Sequence, residues 1–347
     1  MTNSVPSTVH LVGSVGLDSV PEVFRTLGKT LGRRLKRVPD GEVGGRRLWT
    51  SWQYPLFRAN PFLAATEVAR PRTGFLEMRI ADGVTPDEIV FGELGYAREA
   101  RASYLDFIDA RRSGELPEGV RFQVCLPTPF AVVGTCCGAA DAGAIQRSYT
   151  KAMLKEVEML CAKIPHQDLA IQWDICMEMV FWDGQDYPGR TTRKDITREG
   201  IVSDISELCR GVPSDVELGI HLCYGDFEAK HFIEPIDAAK MVEFANALAG
   251  AIKHPLAFLH MPVPVNRSDD AFFKPLADLK LAKGTEVYLG VVHASDGAPG
   301  TSRRISAASS YLKEFGIACE CGIARARRPD LIKSILAVHS QASVEPN

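Results

Sequence analysis

The stretch GIHLCYGDF, residues 219–227, sets His221 and Cys223 two positions apart in an apolar run that breaks at Gly225. Alternate side chains of a strand point the same way, so an imidazole and a thiol placed like this converge on one point. Cys321, in GIACECG (316–322), puts a further sulfur at the end of another apolar run. Zinc accepts imidazole nitrogen and thiolate sulfur and promotes loss of the thiol protons, and three protein ligands leave one position open for a substrate. The same residues are also compatible with plain core positions, where free Cys is commonly buried.

Such residues meet only if the chain supplies elements to carry them. Eight apolar runs rich in β-branched residues read as strands: 8–14, 34–40, 121–127, 169–175, 216–223, 256–262, 286–294 and 316–322. Between them lie segments with helical spacing, such as 143–164, 235–252 and 301–315. The runs are too uniformly apolar for a one-sided antiparallel sheet, which favours parallel strands covered by helices. A count of eight points to a single-domain (β/α)8 TIM barrel over 1–347, with a doubly wound open sheet as the competing arrangement. Residues 41–120 do not fit one helix and read as an elaborated β2-to-α2 connection near the barrel mouth, with a hairpin expected in FLEMRIADGVTPDEIVFGE. A second long connection, 178–195, has the composition of a functional lid.

A parallel barrel builds its active site at the carboxyl ends of its strands. Those ends carry Ser14 after Gly13, Asp40 with Glu42, Thr128, Asp174, His221 with Cys223, His260, His293 with Asp296, and Cys321. A carboxylate ending a buried strand is costly unless paired, so Asp174 is expected to meet a cationic substrate group or an arginine. Glu178 is a companion candidate, for which a solvated loop carboxylate is the competing reading. His260 and His293 could each act as general acid or base, or be hydrogen-bonded structural residues. Asp296, a further catalytic candidate by its place after a strand, lies in HASDGAPGTSRR (293–304), which could bind an anion or simply cap a helix. The glycines of RVPDGEVGGRR do not form a phosphate loop, because the Lys-Ser/Thr ending is missing.

The chain has 347 residues, 46% hydrophobic and 24% charged, with a formal charge of -3. That balance provides no basic surface for nucleic acid, and no apolar stretch approaches the roughly eighteen residues of a membrane span. The start lacks the pattern of a secretory leader, and nine unevenly spaced cysteines do not form a small secreted disulfide framework. The expectation is a soluble cytoplasmic protein with reduced cysteines and a small-molecule substrate, with homo-oligomer formation left open.

GIHLCYGDF, IQWDICME, the early VGS and the late ECGIARAR resemble, in order and spacing, the carboxyl-terminal barrel of cobalamin-independent methionine synthase and its single-barrel relatives. That superfamily also holds uroporphyrinogen decarboxylase and epoxyalkane:coenzyme M transferase. The resemblance implies zinc held by His221, Cys223 and Cys321; the family's glutamate ligand is missing and its place falls near His260, so that His260 replaces it, or three ligands and an open position remain, or the metal is absent. It further implies substrate contacts from Gly13, Ser14, Glu42 and Asp174. CLPTPFAVVG lacks the tryptophan that faces folate in the family, so a folate-type methyl donor is only one option. The implied activity is zinc-dependent methyl or alkyl transfer to a thiol, distinct from housekeeping methionine synthesis. Zinc-dependent hydrolysis or lyase chemistry, and a metal-free decarboxylase-like or binding barrel, are the alternatives.

Overall fold

The computed structural model of the chain describes residues 5–70, 73–185, 193, 195–226, 230–324 and 329–346. Among the described residues nine strands form in chain order: β1 (Arg37–Pro39), β2 (Leu63–Ala69), β3 (Leu76–Ile80), β4 (Arg121–Pro127), β5 (Leu169–Ile175), β6 (Glu217–Leu222), β7 (Leu256–Pro262), β8 (Glu286–Val292) and β9 (Gly316–Cys319). Seven of them make one parallel sheet in the order β1-β4-β5-β6-β7-β8-β9. The apolar runs become largely buried strands, β5 at every position, because helices cover the sheet as parallel sheets require.

The run at 8–14 does not join as a ladder strand. Val9 bridges Leu35 on one side and Ile317 on the other, and Ser14 bridges Gly41. Both edges of the sheet therefore reach a single residue, and the sheet is curled. The expected strand 34–40 shortens to Arg37–Pro39, since residues 32–34 form a 3-10 turn and Pro39 has no N–H to extend the pairing.

Helices follow the strands much as their spacing suggested, at Ala142–Lys163, Ala239–Ala251 and Gly297–Ala308. The hairpin in the 41–120 connection is shifted: β3 pairs antiparallel with β2, not with the later PDEIVFGE segment. Gly83 with positive φ and a Thr85/Glu88 capping box fold that later segment into a 3-10 turn, which removes it as a strand. Part of the 178–195 connection expected to act as a lid, residues 186–192 and 194, lies outside the described residues, and its start belongs to the helix Met177–Asp183. Among the described residues no helix is long and apolar enough to cross a membrane.

At the amino end of the sheet, buried Arg37 pairs with Glu217 at 2.5 Å and Glu286 at 2.9 Å, and lies over the Phe258 ring. This network fills that end. The reactive side chains collect at the other.

Candidate metal centre

Register brings the polar strand ends together. Asp174 on β5 is paired with His221 on β6, and His221 with His260 on β7. Residues directly opposite in a parallel ladder project from the same face, so the three side chains form one row. Cys223 extends the row by one further step, its N–H bonding Ile175 O at 3.0 Å.

His221, Cys223 and Cys321 are all buried, and the ligand atom each offers lies within 4.8 Å of the others. The two sulfurs are 3.8 Å apart. Two thiolates each about 2.3 Å from a tetrahedral zinc would sit about 3.8 Å from one another, so the sulfur spacing suits that ion. Nitrogen plus two sulfurs is also a donor set that zinc favours over harder cations.

The imidazole is set in advance. His260 Nε2 lies 2.9 Å from Cys319 O, a group that can only accept, so Nε2 carries the proton. Burial holds the His260 pKa down to about 3, which keeps the ring neutral and makes Nδ1 an acceptor. His221 Nδ1, 2.7 Å from that atom, must then be the donor. The lone pair of His221 is left on Nε2. His260 therefore stands behind His221 and orients it, the arrangement that hydrogen-bond partners give to metal-bound histidines. With both its nitrogens committed, it does not replace the missing glutamate ligand.

Two glycines fix the surroundings of the sulfurs. Gly225 has φ +87, and a side chain there would stand 2.5 Å from the Phe232 ring; its N–H points to Cys223 Sγ at 3.3 Å. That donor favours a thiolate. A side chain at Gly322 would lie 2.1 Å from Ser14 Oγ, so the Cys-Gly pair lets the last strand pass close to the first segment. Cys176, just after β5, completes a buried cluster with Cys223 and Cys321. Its hydrogen bond with Cys223 is the main cause that pushes the Cys223 thiol above its ordinary range.

A carboxylate end lies opposite. Asp174 is buried and accepts from Gln172 Nε2 at 2.8 Å and Trp49 Nε1 at 3.2 Å. Gln172 is in turn held by His10 Nε2 at 2.8 Å, so a polar floor beneath the row fixes the carboxylate. Burial depresses the His10 pKa, and the ring is a neutral donor. Glu42 adopts φ +49, and a side chain at Gly13 would stand 2.9 Å from its Oε1. Asp40 anchors this turn, accepting from Glu42 N and Ser103 Oγ and pairing with Arg46 at 2.8 Å. Asp40, Glu42, Arg46 and Cys125 line a small cavity.

The remaining candidates have other partners. Thr128 caps the helix Pro129–Cys136 by accepting from Ala131 N. Glu178 is buried rather than a solvated loop group, and desolvation raises its pKa to about 7 despite a bond with Thr128. Asp296 is gripped at both oxygens by Arg304, at 2.7 and 2.8 Å, which holds its carboxyl below the usual range. His293 reaches Val263 O through Nε2 at 2.8 Å, while its Nδ1 lies 3.8 Å from Glu320 Oε2. His231 approaches the same Glu320 oxygen at 3.4 Å.

Sequence reasoning missed Cys176, Trp49, Glu320, His231 and the His10–Gln172 floor. Cys176 and Glu320 had a local signal, each being next to a candidate position or a ligand. Trp49 and His231 had none, since the loops that carry them become neighbours of the site only through the fold.

No family model matches the chain, and no curated protein sequence matches it. Solved structures do. A Listeria monocytogenes protein described as a candidate vitamin-B12-independent methionine synthase is similar with a TM-score of 0.60 and 13% identity, over 97% of both chains. A B12-independent methionine synthase from Shewanella sp. W3-18-1, solved with selenomethionine, is similar with a TM-score of 0.61 and 14% identity, over 98% of this chain and 97% of that one. At this identity the likeness establishes the fold: the chain has the architecture of cobalamin-independent methionine synthase-like proteins.

Proposed function

We propose that this chain is a zinc-dependent transferase that moves a methyl or alkyl group onto a small thiol, in the manner of methionine synthase but outside its housekeeping role. The observation that carries the reading is the buried His221, Cys223 and Cys321 set, with its sulfur spacing and its preset imidazole tautomer. In this reading the bridged segment around Val9 and Ser14 completes an eight-position ring, and 1–347 is one barrel with 41–120 arching over its mouth.

When bound, zinc lowers the pKa of a ligated thiol so that it is nucleophilic near neutral pH. The chain's own residues then orient and protect. His260 keeps the proton of His221 on Nδ1. Asp174 and Glu42 hold a cationic end of the substrate, such as the ammonium of a sulfur amino acid, which accords with the selenomethionine bound to the Shewanella relative. Since His293 Nε2 is spent on Val263 O, Nδ1 is the atom through which it exchanges a proton, with Glu320 beside it. The run CLPTPFAVVG at the end of β4, which lacks the family's tryptophan, argues for a methyl donor other than the folate of the housekeeping enzyme.

Metal content of the purified, reduced protein tests this. About one zinc per chain is expected, falling below a tenth of an equivalent in His221→Ala and Cys321→Ser, with methyl transfer to L-homocysteine or another small thiol lost in parallel. A protein that takes up no zinc on reconstitution would overturn the reading.

A further inference from the structure

Trp49 occupies an unusual place. Its indole packs against the cluster of Cys176, Cys223 and Cys321, and its Nε1–H reaches Asp174 Oδ2 at 3.2 Å, the long end for such a bond. One side chain thus spans from the sulfurs to the carboxylate. A sulfur amino acid would have to bridge the same distance, with its sulfur at the cysteines and its ammonium at Asp174.

The segment that carries Trp49 is held under tension. Glu42 and Trp49 both have positive φ, at 49° and 50°, a region that residues other than glycine seldom enter and that tends to cluster at functional sites. Between them, Arg46 pairs with Asp40 and Arg47 with Asp18 at 3.0 Å. Gly44 and Gly45 have nothing within 4 Å of where a side chain would start, so the middle of the strap has room to shift. Asp174, by contrast, is fixed from below by Gln172. Of the two partners, the indole is therefore the one with room to shift.

We propose that Trp49 is a specificity-determining residue whose indole N–H is displaced from Asp174 by the ammonium group of an amino-acid substrate, the ring remaining over that group as its wall. This rests on the reading of the site as one for a sulfur amino acid. An ammonium makes a stronger, charge-assisted bond to the carboxylate than an indole N–H does, and an indole face attracts a cation. A ligand without the ammonium obtains neither contact and leaves the indole in place. The strap therefore discriminates by the amine.

Calorimetric binding of L-methionine and of its deaminated analogue 4-(methylthio)butanoic acid tests this in wild type, Trp49→Phe and Trp49→Ala, with melting temperatures recorded to confirm folding. Wild type should prefer L-methionine, and its tryptophan fluorescence should change on binding, a change absent in Trp49→Phe. Trp49→Phe should keep affinity within about threefold, whereas Trp49→Ala should lose about tenfold for L-methionine and little for the analogue. An equal loss for both ligands, or no loss for either, would overturn the role of Trp49 while leaving the site reading intact. Failure of wild type to bind L-methionine at all would remove the site reading and this inference together.

Discussion

The row Asp174–His221–His260 and the strap 41–49 face the same mouth but are built by different means. In the row, side chains are placed by the hydrogen-bonded register of adjacent buried strands, and each polar atom is backed by another: Gln172 behind Asp174, His260 behind His221. In the strap, placement depends on ion pairs at half-buried arginines and on two residues in a strained backbone region. A ladder can shift only by breaking many bonds, whereas a strap can shift by exchanging a few. Metal chemistry needs the first kind of support, and ligand selection can use the second.

The difference is open to test from either side. The largest effect belongs to Glu178, on the helix Met177–Asp183 that follows β5 and its Asp174. Its pKa is raised from 4.5 to about 7 in the folded chain, so the folded state keeps a proton that the unfolded state has already released. Stability from this group is complete below pH 4.5 and is lost as pH rises through 7, a loss of roughly 3 kcal/mol. Glu178→Gln should flatten that decline, as read from urea midpoints across pH 4.5 to 8, and a profile identical to wild type would show that Glu178 is ionised in the fold.

Next in size is His260→Leu. Without an acceptor for its Nδ1–H, His221 loses its fixed tautomer, and zinc affinity in a chelator competition should fall by about ten- to a hundredfold. Preference for L-methionine over its deaminated analogue should persist, since Trp49 and Asp174 are untouched. Unchanged zinc affinity would mean that the histidine pair does not prepare the metal ligand.

The smallest effect is expected on the strap side. Asp40→Asn removes the charge that holds Arg46 while preserving most of the shape. L-Methionine binding should weaken by a few fold and zinc content should stay constant. A loss of zinc in this variant would erase the distinction between the two regions.

Legibility in the sequence followed the same division. Uniform apolar runs and the two-residue spacing of His221 and Cys223 are local patterns, and β4, β5 and β7 form over the expected residues. The edges were less readable: the first segment makes only single bridges at Val9 and Ser14 where a continuous strand was expected, and the chain turns at Gly16 with positive φ. Asp296 illustrates a further limit. Its position after a strand marks it as catalytic in sequence, yet the helix that follows brings Arg304 back onto it.

What the sequence determined by itself was the alternation of buried strands with helices and the residue types at their ends, because both rest on short-range periodicity. The tertiary structure decided the rest. It paired His221 with His260, 39 residues away, and so set which nitrogen carries the lone pair. It brought Cys321 to Cys223, 98 residues apart, through the curl of the sheet. It also laid Trp49 between the sulfurs and Asp174, a placement made by strap geometry and long-range packing that no local pattern encodes.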